Sequence, residues 1–453
     1  MGSGEASMPS NKTLIPLIAL LAVVLGFLTT AASAFAADKV RLLHSFCRVG
    51  SCPDGLGPGA SLIFDSSGNL YGVASGGGAY GYGAVFQLTP GDDGKWTEKI
   101  LHSFNLTNGA FPIGGLIFDP VGNLYGTTFE GGAFYTCEDY AYGCGTVFQL
   151  TPGADGKWSE KVLHSFKAQG KDGYWPFDAG VIIDAAGNLY GTTSGGGAHP
   201  LCGGGTGCGT VFRLTRSADG EWKENVLYSF SGKDGNAPYS SLILDGTGNL
   251  YGTTYQGGGV YSSSCYMNSC GVVFELTRGK DGEWTENVLH RFNGNDGSQP
   301  RGGLIFDVAG NLYGTTSDGG AYSCGGSGCG TAFQLTHSVN GTWKEKVLHN
   351  FGKGKDGTVP FAGMISDAAG NLYGTTLGGG AYGSSCGNIP CGTVFRLTPD
   401  INGQWGEEVL HSFIGVDGSA PDGSLIFDGA GNLYGAAGSG GAYGGGAVFE
   451  ITP

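Results

Sequence analysis

The chain has 453 residues, and 38 Asp and Glu against 23 Lys and Arg leave a net charge of −15. An acidic chain without a Lys/Arg cluster excludes nucleic acid and anionic lipid as electrostatic partners, leaving neutral glycans, cationic groups or other proteins. The 91 glycines follow no three-residue period, which excludes collagen, and 12% aromatic with only 13% charged residues describes a packed β protein rather than a disordered one.

Residues 1–36 read as a secretory signal peptide. Lys12 precedes an apolar run from Leu14 to Leu28, and small residues end at Ala34-Phe35-Ala36 in an A-x-A cleavage pattern. A retained anchor is the alternative, since the run approaches the length of a short span. Cleavage removes one acid, Glu5, and one base, Lys12, so residues 37–453 keep the net charge of −15. The expected product is a secreted monomer, extracellular or periplasmic, with no membrane contact after cleavage.

Next comes a repeat. Gly-Asn-Leu-Tyr-Gly begins at Gly68, Gly122, Gly187, Gly248, Gly310, Gly370 and Gly431. Each copy runs in the same order: an apolar run ending in Asp, this motif, a glycine-rich loop, Thr-Val-Phe-x-Leu-Thr, an Asp-Gly turn and Trp-x-Glu-x-Val-Leu-His-Ser-Phe. Helix-period stripes are absent, and short β-branched and aromatic runs between turns predict four strands per copy, here a to d. The fold class is all-β, a seven-bladed propeller of four antiparallel strands per blade. Repeats lie near 60–104, 114–166, 179–230, 240–292, 302–351, 362–413 and 423–453, the last completed by 39–46. The last copy lacks strand d, and Lys39 to Phe46 is a strand d lacking the rest, so the termini close the ring.

Asp65, Asp119, Asp184, Asp245, Asp307, Asp367 and Asp428 read as caps of the a–b turn. Glu98-Lys99, Glu160-Lys161 and Glu345-Lys346 on strand d read as charges that guard an edge strand. His44, His102, His164, His290, His349 and His411 share one strand-d position, where Tyr228 stands in the remaining copy, and read as scaffold rather than as metal ligands. Twelve cysteines fall into near pairs, Cys47/Cys52, Cys137/Cys144, Cys202/Cys208, Cys265/Cys270, Cys324/Cys329 and Cys386/Cys391, which in an exported chain read as six disulfides. Metal binding is the alternative, but the spacings are not those of zinc sites and most pairs lack a histidine. Neither metal nor cofactor is expected.

The unit Leu-Ile-Phe-Asp-x-x-Gly-Asn-Leu-Tyr-Gly-Thr-Thr-x-x-Gly-Gly-Ala, with Gly-Thr-Val-Phe-x-Leu-Thr and Leu-His-Ser-Phe, resembles the GloVer repeat (Gloeobacter/Verrucomicrobia type) over nearly all of residues 39–453. The resemblance implies a surface or secreted bacterial protein, often with a C-terminal sorting anchor, and supplies no catalytic residues. This chain departs from that pattern by ending at its last repeat.

Loops b–c and d–a leave the blades on one face, which carries the long loops. Tyr80, Phe134, His199, Tyr261, Tyr322, Tyr382 and Tyr443 recur in the b–c loops and read as packing between blades. The d–a loops differ: after their recurring proline stand Gly59, Ile113, Phe177, Tyr239, Arg301, Phe361 and Asp422. A scaffold position should repeat, and a binding position need not. The expected ligand site is therefore Tyr174, Trp175, Phe177, Tyr239, Arg301, Phe361 and Asp422, stacking aromatic rings on an extracellular carbohydrate or peptide. The alternatives are a glycosidase or lyase, for which Asp178, Glu130, Glu138, Asp139, Asp318 and Asp422 are the non-repeated acids, and a protein-interaction scaffold.

Overall fold

The computed structural model describes residues 1–2, 39–134, 137, 142–169, 171–199, 202, 205–260, 265, 269–338, 340–383, 386 and 391–453. The signal-peptide reading, Tyr261, Glu138 and Asp139 lie outside these residues, but for Met1 and Gly2. Blade I is Ile63–Phe64 (a), Leu70–Ala74 (b), Ala84–Pro90 (c) and Trp96–Ser103 (d), one antiparallel sheet. Blades II to VI repeat that order, from Ile117 to Ser165, Ile182 to Ser229, Ile243 to Arg291, Ile305 to Asn350 and Ile365 to Ser412. Blade VII takes Ile426–Phe427, Leu433–Ala437 and Ala447–Thr452 from the C-terminal end, and Lys39–Ser45 adds to it as strand d. The seven-bladed propeller with a split closing blade is thus as the sequence predicts.

Local chemistry explains each blade. In every a–b turn the aspartate holds the hairpin with both oxygens. Asp65 Oδ1 accepts from the Ser67 and Asn69 N–H groups, and Oδ2 accepts from Asn69 Nδ2 and the Tyr71 hydroxyl. Burial alone would raise the Asp65 carboxyl, but these hydrogen bonds outweigh it and hold the group below its ordinary value. Strand b is wholly buried in all blades, and its central glycine faces the strand-c phenylalanine; a Cβ on Gly72 would stand 2.5 Å from Phe86 Cζ. Between strands c and d a β-bulge leaves Leu101 unpaired, with Val85 opposite His102 and Phe86 opposite Ile100.

The core lies in the seams between blades. The phenylalanine after each strand d packs against the strand-c phenylalanine of the next blade, as in Phe46–Phe86, Phe104–Phe148 and Phe413–Phe449, with ring centroids 4.9 to 5.1 Å apart. Each ring is fully buried, worth about 2–3 kcal/mol, and each pair adds about 1 kcal/mol. The strand-d histidine stands edge-on over its own phenylalanine. Its outer nitrogen meets a d–a loop side chain: Asp356 for His349 and Asp417 for His411 (2.8 Å each), Asn108 for His102 (3.0 Å). Where Tyr228 replaces histidine, its hydroxyl donates to Asp234 at 2.6 Å.

All six expected disulfides are formed: Cys47–Cys52, Cys137–Cys144, Cys202–Cys208, Cys265–Cys270, Cys324–Cys329 and Cys386–Cys391. Cys47–Cys52 departs from the other five in position and backbone. It closes the loop between the N-terminal strand d and blade I, not a b–c loop, and both its residues are left-handed, Cys47 at φ 65° and Cys52 at φ 48°. Cys52 is also buried rather than presented to a ligand, at 8% exposure. Its carbonyl turns inward to accept from the Gly55 and Gly78 N–H groups, so this pair clips the closing loop onto blade I.

The strand-d acids are not the solvent-facing edge charges the sequence suggests. Lys99 is exposed, but Glu98 turns inward toward the preceding blade's loop, as do Glu160, Glu224, Glu286, Glu345 and Glu407. One oxygen of each, Oε1, is buried without a hydrogen-bond partner. Burial first, aided by the charge of a seam aspartate at Glu98, Glu224, Glu286, Glu345 and Glu407, pushes all six carboxyls to about 7. The pleat explains the turn: alternate residues of strand d face the seam, so Glu98 points inward where Lys99 points out.

These groups hold protons in the fold that the unfolded chain releases at ordinary carboxylate values, so stability falls as pH rises from about 4.5 to 7. His102, pushed down to about 4 by burial, and His44, also lowered by burial, work in the opposite direction over part of that window, but two imidazoles stand against six carboxyls. Below about pH 4 the turn aspartates, held low in the fold, lose their advantage. Thermal melts should therefore give a maximum near pH 4–5 and a lower Tm at pH 8, and Glu345→Gln with Glu407→Gln should recover part of the loss at pH 8. A Tm that rises from pH 5 to pH 8 would contradict this.

Candidate functional site at the channel mouth

Each d–a loop reaches the axis through one left-handed residue and a proline. The residue before the proline (Gly57, Phe111, Trp175, Ala237, Gln299, Val359 and Ala420) has φ between 53° and 68° in all seven blades. Its N–H donates to a carbonyl of the preceding blade, and its own carbonyl accepts from the residue following strand b of the next. In five blades the preceding carbonyl belongs to the second cysteine of a b–c disulfide: Cys144, Cys208, Cys270, Cys329 or Cys391. Five of the six disulfides thus pin this seam, and Cys47–Cys52 alone does not. The proline then lies on the glycine before strand c, where a Cβ would stand 2.4 to 2.8 Å from proline Cδ in every blade.

This joint delivers the next residue to an axial cavity of about 310 Å³, lined by Gly59, Ile113, Arg301, Phe361 and Asp422 from five different blades. Arg301 is its fixed point. Nε donates to Asp178 Oδ2 at 2.6 Å, and the guanidinium carbon lies 4.2 Å from the Phe361 ring centre, 5.0 Å from Phe177 and 5.6 Å from Tyr239. Three rings and a carboxylate leave this side chain one orientation. Its Nη groups keep no hydrogen-bond partner among the described residues.

Asp178 is an insertion. From the loop proline to the strand-a isoleucine the chain advances five residues in six blades, but six in blade III, from Pro176 to Ile182. The extra residue adopts φ 49°, and Ala179 N–H closes the bulge onto the Phe177 carbonyl at 2.5 Å. Burial pushes the Asp178 carboxyl up, and the Arg301 charge and hydrogen bond pull it back. Asp422 lies across the mouth, over Gly59, where any Cβ would meet its carboxylate at 2.5 Å. It keeps contact with water in the lumen but is crowded by protein. Burial pushes it up to about 7, the Asp178 charge adds to the push and Arg301 opposes both.

The structure brings Arg301, Phe361 and Asp422 together on the cavity wall, with Phe177 and Tyr239 packed against Arg301. Tyr174 and Trp175 stand behind them: Tyr174 is 2% and Trp175 9% exposed, and the Tyr174 hydroxyl donates to the Thr206 carbonyl. Of the non-repeated acids, Glu130 and Asp318 do not line the cavity. Sequence reasoning missed Phe129 and Tyr255, which extend the aromatic wall at 5.0 Å from Phe177 and 4.7 Å from Tyr239. The residue after strand b also varies among copies (Ser75, Phe129, Ser194, Tyr255, Ser317, Leu377, Gly438), and that signal would have found them. The opposite side of the mouth is small, with Gly57, Gly59, Ser61 and Ser75.

Two trios among the described residues bring three ligand atoms within 4.8 Å, His290/Asp296/Glu345 and His349/Asp356/Glu407. The same seam position holds Asn108 or Tyr228 in other blades and keeps the contact as a hydrogen bond, so the trios act as seam buckles. The recurring b–c aromatics also depart from expectation. Tyr80, Phe134, Tyr322, Tyr382 and Tyr443 are 37% to 61% exposed and do not fill the seams, because the paired phenylalanines already do.

Fold and site together define a disulfide-stapled seven-bladed β-propeller with one asymmetric cavity at its channel mouth. The chain belongs to the family described as Gloeobacter/Verrucomicrobia repeat, whose profile matches residues 29–198, 132–326 and 259–453. Comparison with curated proteins gives no match. Among solved structures, a luciferin-regenerating enzyme is similar at 15% identity, over 75% of this chain and 91% of that one, with a TM-score of 0.39.

Replacing Asp178 by Asn should cost about 1–3 kcal/mol, because Arg301 loses its charged partner. The same change removes a like charge beside Asp422, so the Asp422 carboxyl, followed by ¹³C NMR titration, should titrate below 7. An unchanged or higher midpoint would contradict the coupling.

Proposed function

We propose that this protein is a secreted binding module whose channel mouth receives the end of a neutral carbohydrate chain. The observation that carries the reading is Arg301, held by Asp178 and three aromatic rings, its Nη groups without a hydrogen-bond partner among the described residues, on the wall of an open cavity. The Arg301–Asp178 pair sums to zero charge, and Asp422 with the Ser61, Ser241 and Ser424 hydroxyls offers acceptors and donors to sugar hydroxyls. Phe361 supplies an apolar face, and the glycine side leaves room for the ligand. Export is supported by the six disulfides, which persist in oxidising compartments.

A second reading is favoured by one observation. Asp178 and Asp422 share the cavity, and Asp422 is an acid tuned to about 7, suited to general acid–base work on a glycosidic bond.

A panel of oligosaccharides, assayed by calorimetry, separates the readings. Phe361→Ala and Asp422→Asn should each weaken binding about tenfold or more, near 1.4 kcal/mol, with little change in Tm. Affinity should rise as pH passes 7, since ionised Asp422 is the stronger acceptor. If neither substitution alters any detected binding, the site is misplaced, and release of reducing ends during the titration would favour the enzyme.

A further inference from the structure

The b–c aromatics pose a question the channel does not answer. A position filled by tyrosine or phenylalanine in six copies, and by His199 in the other, is exposed wherever it is described. Single exposed rings need no explanation, but one ring per blade at one register is a pattern that packing does not require. The hydroxyls of Tyr80, Tyr322, Tyr382 and Tyr443 make none of the intramolecular hydrogen bonds found among the described residues. Their loop step is Gly-Gly-Ala-aromatic, free of charge, and the alanine N–H before each ring donates to a strand-d side chain: Ser103, Asn350, Ser412 or Ser45. That hydrogen bond ties the base of each ring to its own strand d.

Blade VII shows what lies beside such a ring. A groove of about 280 Å³ runs along Tyr443, bounded by Leu42, His44, Ser45, Arg48 and Asp54. Beside the groove Asp54 accepts from the Cys47 and Arg48 N–H groups, and His44 Nε2 lies 3.9 Å from the same carboxylate. An exposed aromatic face along a groove that also offers Ser45 and the rim of the Asp54 carboxylate suits a ligand with C–H faces and hydroxyls. The same histidine or tyrosine and acid or amide recur beneath the other blades' loops.

We infer that the rim of this face is a second, multivalent site for a neutral polysaccharide, with a subsite at each described exposed ring: Tyr80, Phe134, Tyr322, Tyr382 and Tyr443. Repetition of one exposed ring around the rim fits a ligand that itself repeats, whereas the unrepeated channel mouth fits a single chain end. The net charge of −15 opposes polyanions, and the uncharged Gly-Gly-Ala-aromatic step gives a polycation no partner at the ring, which favours a neutral polymer. Weak stacking at each ring, summed along one polymer, gives avidity that no short fragment reaches. The rim stands on its own observations, independent of the channel reading.

The test is affinity electrophoresis of the mature protein through gels containing hydroxyethylcellulose, galactomannan, arabinoxylan or laminarin. The wild type should be retarded by at least one polymer. Replacing Tyr80, Tyr322, Tyr382 and Tyr443 together by Ala should weaken that retention on the order of 100-fold, and Tyr443→Ala alone only a few-fold. Tyr→Phe at the same four positions should retain most of it. The double variant Phe361→Ala, Asp422→Asn, which loses binding of chain ends at the mouth, should keep most of the retardation, because long polymers offer few ends. Should the fourfold variant melt early, the Tyr443→Ala and Tyr→Phe results decide. Retention unchanged in the alanine variants, loss through the channel double alone, or no retention of the wild type by any polymer would each overturn the inference.

Discussion

Between every pair of blades, one left-handed residue donates its N–H backward to a loop carbonyl and accepts forward from the next blade's strand b. L-residues avoid that conformation, so it persists only because both hydrogen bonds and the following proline over-determine it. Five disulfides fix the acceptor carbonyl, a glycine without Cβ makes room for the proline, and the buried phenylalanine pair closes the seam beneath. Break this joint and the blades lose register; keep it, and the residue after the proline must arrive at the axis whatever its identity.

That separation of frame from cargo accounts for the asymmetry of the mouth. The same joint carries glycine in blade I, isoleucine in II, phenylalanine in III and VI, tyrosine in IV, arginine in V and aspartate in VII. Charge placed at one blade is answered from another: Arg301 by Asp178 two blades back, and Asp422 by the space that Gly59 leaves it. The frame is paid for once per blade, and the mouth varies freely upon it.

Most of the frame was legible in the sequence because each turn and strand announces itself locally. The Asp-x-x-Gly-Asn turn, the strand-d histidine, the cysteine pairs and the split blade follow from residue type and spacing alone. Spacing paired Cys47 with Cys52 as readily as the others, but it could not show that Cys52 clips the closing loop while the rest serve the seams. The variable post-proline residues pointed to the mouth because they differ where the copies otherwise agree. Asp178 was visible as an acid but not as an insertion, since counting residues between Pro176 and Ile182 matters only once the other copies are known to agree in space. The inward turn of Glu98 and its equivalents was not legible, because alternation cannot tell a solvent face from a seam when every blade has a neighbour. Nor was the exposure of Tyr80 and Tyr443, which depends on the seam being already full. Tyr174 and Trp175 misled through sheer size: large rings in a binding loop can as well be the wall's backing as its face.

The central claim is that ligand binds where the copies differ at the channel axis. A crystal structure of the protein soaked with an oligosaccharide that binds in calorimetry tests it most directly. The account predicts sugar density in the axial cavity, against Phe361 and within hydrogen-bond reach of Arg301 and Asp422. Density on the opposite face, among the identical Asp-x-x-Gly-Asn turns, with an empty mouth at saturating ligand, would contradict it.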